Sequence, residues 1–90
     1  MKRPDIIKAA SSIVEVDRMA DHGKPEDSFA LIAGYWSLHL GVTVSAVDVA
    51  VMMTLLKLAR INGNPQHLDS WTDGIGYLAC GGEIATEGGK

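Results

Sequence analysis

The chain has 90 residues, enough for one domain near the lower end of what folds alone. Its 47% hydrophobic content supplies a core with apolar material to spare, while a net charge of −3 argues against the basic surface that DNA or RNA binding needs. The single cysteine, Cys80, excludes an internal disulfide or a cysteine-based zinc site and reads as a buried, inert thiol in a reducing cytoplasm. The first helix is expected over about 5–19. Pro4 suits a first helical turn, and Ile6, Ala9, Ala10, Ile13, Val14 and Val16 recur on one face. Lys8, Ser11 and Ser12 interrupt that stretch, so it is not a signal peptide, and no apolar run is long enough to span a bilayer. A cytoplasmic protein with no membrane association is expected.

Asp21 to Pro25 is a break, in which Gly23 stops the first helix and Pro25 starts the second, over about 26–40. Glu26 and Asp27 complement the dipole of its first turn. Phe29, Ile32, Ala33, Trp36 and Leu40 are spaced to face a core, and Gly41 ends the helix. Val42-Thr43-Val44 is too short for a sheet and reads as a connector. Ser45 and Asp48 form a Ser-x-x-Asp capping box that opens the third helix, over about 46–61.

That third helix is the most informative stretch. It is apolar almost all round, and only Asp48, Thr54, Lys57 and Arg60 interrupt it. A helix of this kind must be surrounded by protein, which a chain this short can hardly provide alone. A compact all-α four-helix domain, assembled as a homo-oligomer (dimer or tetramer), is therefore expected. Asn62 to Pro65 is a turn, with Gly63 suited to a left-handed C-cap. The last helix is expected over about 67–84, followed by a flexible tail over 85–90. It holds Gly74, Gly76, Gly81 and Gly82, each costly inside a helix, which points to close helix–helix contact or close approach of a ligand.

Several residues carry candidate chemistry, each beside a plainer reading. Lys57 and Arg60, three apart, suit a phosphate or carboxylates of a neighbouring subunit, or are snorkelling cations favoured by the helix C-terminus. Asp69 and Asp73, four apart on one helix face, suit a Mg²⁺ ion whose shell phosphates complete, or are a solvated acidic face. His22 and Lys24 precede a helix N-terminus, where exposed N–H groups attract anions. Trp36, Trp71 and Tyr77 read as core or interface, although Trp71 or Tyr77 could stack on a base. Asp48 is explained as a cap, and His39 and His67 share no metal-ligand spacing.

Three segments in order, H-G-K-P-E-D-S-F-A-L-I-A-G-Y-W, D-V-A-V-M-M-T-L-L-K-L-A-R and N-P-Q-H-L-D-S-W-T-D-G-I-G-Y, make the chain from about Val14 to Ile84 resemble a family of small phage and prophage proteins of unassigned function. The layout also resembles a reduced all-α nucleoside triphosphate pyrophosphatase of the MazG-like class. That class holds Mg²⁺ with two acidic pairs on two helices. Asp69 and Asp73 match the second pair at wider spacing, and the first pair is missing. The over-apolar third helix, the embedded Lys57/Arg60 pair, the glycine-rich last helix and the incomplete metal set together point to an oligomeric protein that binds a nucleotide-type ligand, and in a phage setting to one that sequesters a host defence signal nucleotide. Its ligand contacts would be His22, Lys24, Lys57, Arg60, Trp71 and Tyr77. The alternatives are a Mg²⁺-dependent pyrophosphatase using Asp69 and Asp73, and a protein-binding inhibitor of host defence.

Overall fold

The structure, a computed structural model, describes residues 1–17 and 23–87. Helix α1 (Arg3–Ser12) runs into a π-helical turn (Ile13–Asp17), and α2 (Pro25–Leu40), α3 (Ala46–Gly63) and α4 (Leu68–Thr86) follow. There is no strand among the described residues. The all-α, four-helix expectation holds. The last helix reaches Thr86, so residues 85 and 86 are helical rather than tail, while 88–90 lie outside the described residues. The expected helical segment over 18 and 19 also lies outside them, as does the side chain of Val16.

Local chemistry sets the ends of the helices. Pro4 sits in the first turn of α1, where a missing N–H costs nothing, and the Asp5 carboxylate accepts the Lys2 N–H at 3.1 Å. Pro25, Glu26 and Asp27 open α2, and Gly41 closes it in the left-handed region at φ 73°. The connector to α3 is tied by Ser37, whose Oγ accepts the Val44 N–H at 2.7 Å and donates to the Ala33 carbonyl at 2.7 Å. The capping box is formed as expected. Ser45 Oγ accepts the Asp48 N–H at 3.0 Å, and Asp48 Oδ2 accepts the Ser45 N–H at 2.9 Å.

Two further expectations are corrected. Gly63 is not a left-handed cap but the last residue of α3. The chain leaves the helix at Asn64 (φ −149°, ψ 85°), because a residue preceding proline is driven out of helical geometry. Leu40 does not face the core. As the last residue of α2 it is 53% exposed, in a shallow cavity with Trp36, His39 and Met52.

Helices α3 and α4 form the main packed pair, with α2 against α3 and α1 against α4. The pair is antiparallel: Ala50 lies opposite Gly81, and Lys57 opposite Asp73 and Gly74. A Cβ at Gly81 would stand 2.6 Å from that of Ala50, and one at Gly76 would stand 3.1 Å from Val14 Cγ1. Close helix approach therefore accounts for these two glycines, whereas Gly82 faces open space. The core joins Phe29 and Ala33 of α2, Val49 and Ala50 of α3, and Tyr77, Cys80 and Ile84 of α4. Cys80 is buried, as its context suggested.

The apolar surplus is plain. Among the described residues eight hydrophobic side chains are buried and fifteen large ones are exposed. Helix α3 buries Val49, Ala50 and Thr54 but exposes Val51, Met52, Leu55, Leu56 and Leu58, so one chain does not cover it. No helix among the described residues is long and apolar enough to cross a membrane.

Candidate functional site

The polar residues converge where the C-terminal half of α3 meets the start of α4. Antiparallel pairing around a short turn brings residues 54–60 beside residues 69–74. Thr54 is buried, and its hydroxyl donates to the Ala50 carbonyl at 2.8 Å. One turn on, Lys57 Nζ and Asp73 Oδ2 form an ion pair at 3.1 Å, with side chains 18% and 22% exposed. Partial burial shields this pair from salt and solvent more than a surface pair, so removing one partner leaves the other charge poorly compensated.

Arg60 follows on the same side of α3 and is exposed. It makes no ion pair with the described residues. With Gly63, Asn64, His67 and Ser70 it lines a cavity of about 380 Å³. The turn builds this wall: the His67 N–H donates to the Asn64 carbonyl at 3.2 Å, and the Gln66 N–H donates to Asn64 Oδ1 at 3.3 Å. His67 Nδ1 lies 3.3 Å from the buried Ser70 Oγ, and the side-chain NH₂ of Asn64 has no partner among the described residues. A guanidinium, an amide NH₂ and the second ring nitrogen of His67 thus line one small volume beside the N-terminus of α4. All are able to donate to an anion.

The other nominated residues are dispersed. Lys24 lines a separate cavity of about 400 Å³ with Glu15, Glu26 and Glu83, and three acidic side chains against one basic one disfavour a phosphate there. His22 lies outside the described residues. Trp71 is 43% exposed, and its indole N–H donates to the Pro65 carbonyl at 2.9 Å, on the wall of a groove with Ile6, Gln66 and Leu68. Tyr77 is core: it is 8% exposed, and its ring centroid stands 6.2 Å from that of Phe29, out of reach of a ligand arriving from solvent. Asp69 is exposed on the first turn of α4, with its carbonyl accepting the Thr72 hydroxyl at 3.2 Å.

The carboxylate of Asp73 is engaged by Lys57, and among the described residues no group of three or more His, Cys, Asp or Glu side chains is placed to hold a metal ion. The pocket partners of Arg60 were not legible as site residues. Asn64 read as a turn residue and His67 as an isolated histidine, and only the four-residue connection between α3 and α4 signals that residues 60 and 70 must meet.

The chain belongs to a family described as a domain of unknown function (DUF6378), which matches residues 5–85. It is 37% identical over 75 residues to the Gene 55 protein of Mycobacterium phage D29, a stretch that is 83% of this chain and 50% of that protein. It is 38% identical over 73 residues to the Gene 55 protein of Mycobacterium phage L5, covering 80% of this chain and 47% of that one. The chain thus spans about half the length of the curated relatives it matches. No solved structure matches it. The expected kinship with phage proteins of unassigned function holds.

Proposed function

We propose that this member of the DUF6378 family is a binding protein that holds a phosphate-bearing, nucleotide-type ligand at the Arg60 cavity and does not turn it over. One observation carries the reading: the guanidinium of Arg60, with no carboxylate partner among the described residues, lines a small cavity with Asn64, His67 and Ser70. A guanidinium presents a planar fork of donors that matches a phosphate edge. The neighbouring cation, Lys57, is held by Asp73 and leaves the anion to Arg60. The carboxylate that would have to bind Mg²⁺ for hydrolysis is in that same ion pair. In the phage setting of its relatives, capture without turnover describes a sponge for a host signal nucleotide.

The test is native mass spectrometry of protein purified from host cells, followed by calorimetric titration with nucleoside phosphates and cyclic dinucleotides. An intact nucleotide should bind, and Arg60→Ala should weaken it by about 10- to 100-fold, the loss of a charge-assisted hydrogen bond. Mg²⁺-dependent release of pyrophosphate that Asp73→Asn abolishes would replace this reading with the pyrophosphatase. The large exposed apolar surface favours a second reading, a protein-directed inhibitor. That reading expects no thermal shift with any nucleotide and a stable complex with a host protein.

A further inference from the structure

The face of the α3–α4 hairpin turned away from α2 is apolar and uncovered. On α3, Val51, Leu55 and Leu58 follow one another at i, i+4 and i+7, and are 46%, 57% and 53% exposed. On α4, Trp71, Ile75 and Leu78 repeat the same spacing, at 43%, 36% and 55%. At about 100° per residue each trio forms one stripe. The two stripes share a flank. Ala50 and Gly81 mark where the helices touch, Tyr77 against Phe29 marks the side that α2 covers, and in an antiparallel pair both trios then fall on the opposite side. No charged residue stands between the stripes. Trp71 has its single polar atom satisfied within the chain, by the Pro65 carbonyl, so its ring meets a neighbour as a purely apolar surface.

We infer that this face seats a second copy of the chain, the two hairpins packing about a two-fold axis into a four-helix bundle. Stripes at i, i+4 and i+7 on neighbouring antiparallel helices are the pattern that packs in such bundles. Two-fold pairing requires a self-complementary patch, and a charge-free face of interleaved Leu, Ile, Val and Trp meets that requirement. Area agrees. With on the order of 100 Å² exposed on each of six side chains, one face offers roughly 600 Å² and two offer roughly 1,200 Å². That reaches the lower edge of specific interfaces, about 1,200–2,000 Å². It also answers part of what the composition of α3 demands: α2 and α4 cover its inner side, and the partner subunit covers the stripe of Val51, Leu55 and Leu58, while Met52 and Leu56 stay exposed beside it. The outer stripe of α2 (Leu31, Tyr35 and Leu38) is a single row without a neighbouring one, and serves as the control.

The experiment is light scattering after gel filtration of the whole chain at tens of micromolar. Wild type should elute with at least two chains per particle, and Leu55→Glu with Leu78→Glu should reduce it to one chain with unchanged helical circular dichroism. Leu38→Asp should leave the particle size unchanged. A single-chain wild type, a double variant that keeps its size, or dissociation by Leu38→Asp would each overturn the inference. A dilution series of Trp36→Phe protein, in which Trp71 is the one indole left, does not depend on the glutamates being tolerated. Its emission should shift to the red as the particle dissociates, and emission independent of concentration while the particle size falls would place Trp71 outside the interface and overturn the assignment.

Discussion

At Gly81 the backbone of α4 lies so close to α3 that a methyl group has no place: its carbon would stand 2.6 Å from Ala50 Cβ, with a rigid helix behind each. Alanine is the better helix former by up to about 1 kcal/mol, but overpacking a close helix contact costs about 1–3 kcal/mol. Gly81→Ala should therefore destabilise on balance. Gly34→Ala, on the open side of α2 with nothing within 4 Å, should stabilise by up to about 1 kcal/mol. Urea unfolding of both variants checks the pair, and equal signs would show that packing at Gly81 is not what holds the residue. The ion pair makes a second prediction. Asp73→Asn leaves the Lys57 ammonium partly buried without its carboxylate, which should cost on the order of 1–2 kcal/mol, and the reversed pair Lys57→Asp with Asp73→Lys should recover part of it. Thermal melts at low salt report both. The two residues were each visible in the sequence as candidates for separate ligands. That they bind one another depends on the α3–α4 register, sixteen residues apart, which no local pattern encodes.

The helices themselves were legible where their signals are local. The Ser45/Asp48 box, Pro25 with its acids, and Gly41 act within one turn, so each reads directly from neighbouring residues, and each stands in the structure as read. The end of α3 was misread because two adjacent signals compete: Gly63 invites a left-handed cap, but Pro65 restricts Asn64 and wins. The π turn after Ser12 has no sequence signal that we can identify. Nothing local to Ser37 signals a role, yet its hydroxyl accepts the Val44 N–H, a backbone donor with no helical partner. Ser37→Ala should cost about 1–2 kcal/mol, the penalty for a part-buried donor left unmade, and Ser45→Ala about 1 kcal/mol for the lost cap. Hydrogen exchange separates them. Ser37→Ala should raise exchange at Val44, and Ser45→Ala at Asp48 in the first turn of α3; a rise spread evenly over both helices would indicate global rather than local loss.

For the molecule as a whole, the sequence announced a surplus of apolar surface without saying where it lay. Periodicity places a stripe on a helix but not the neighbour that covers it, so α3 read as apolar all round, and the outward trio of α4 was hidden among glycines. The structure separates what one chain buries from what it leaves bare, and the bare part makes a thermodynamic prediction. If two copies meet through the α3–α4 face and unfold as they separate, the folded state is favoured by mass action. A tenfold rise in concentration then adds about 1.4 kcal/mol per dimer. Spread over the unfolding entropy of two such chains, this raises the melting midpoint by roughly 3–5 °C. Calorimetry of wild type over a tenfold concentration range should show that rise, and the Leu55→Glu, Leu78→Glu variant should melt at one temperature throughout. The variant should also melt lower, because the hydrophobic surface it returns to water is no longer shared between chains. A wild-type midpoint that does not move with concentration would mean that the small core around Val49, Tyr77 and Ile84 suffices alone, and that the apolar face waits for a different protein.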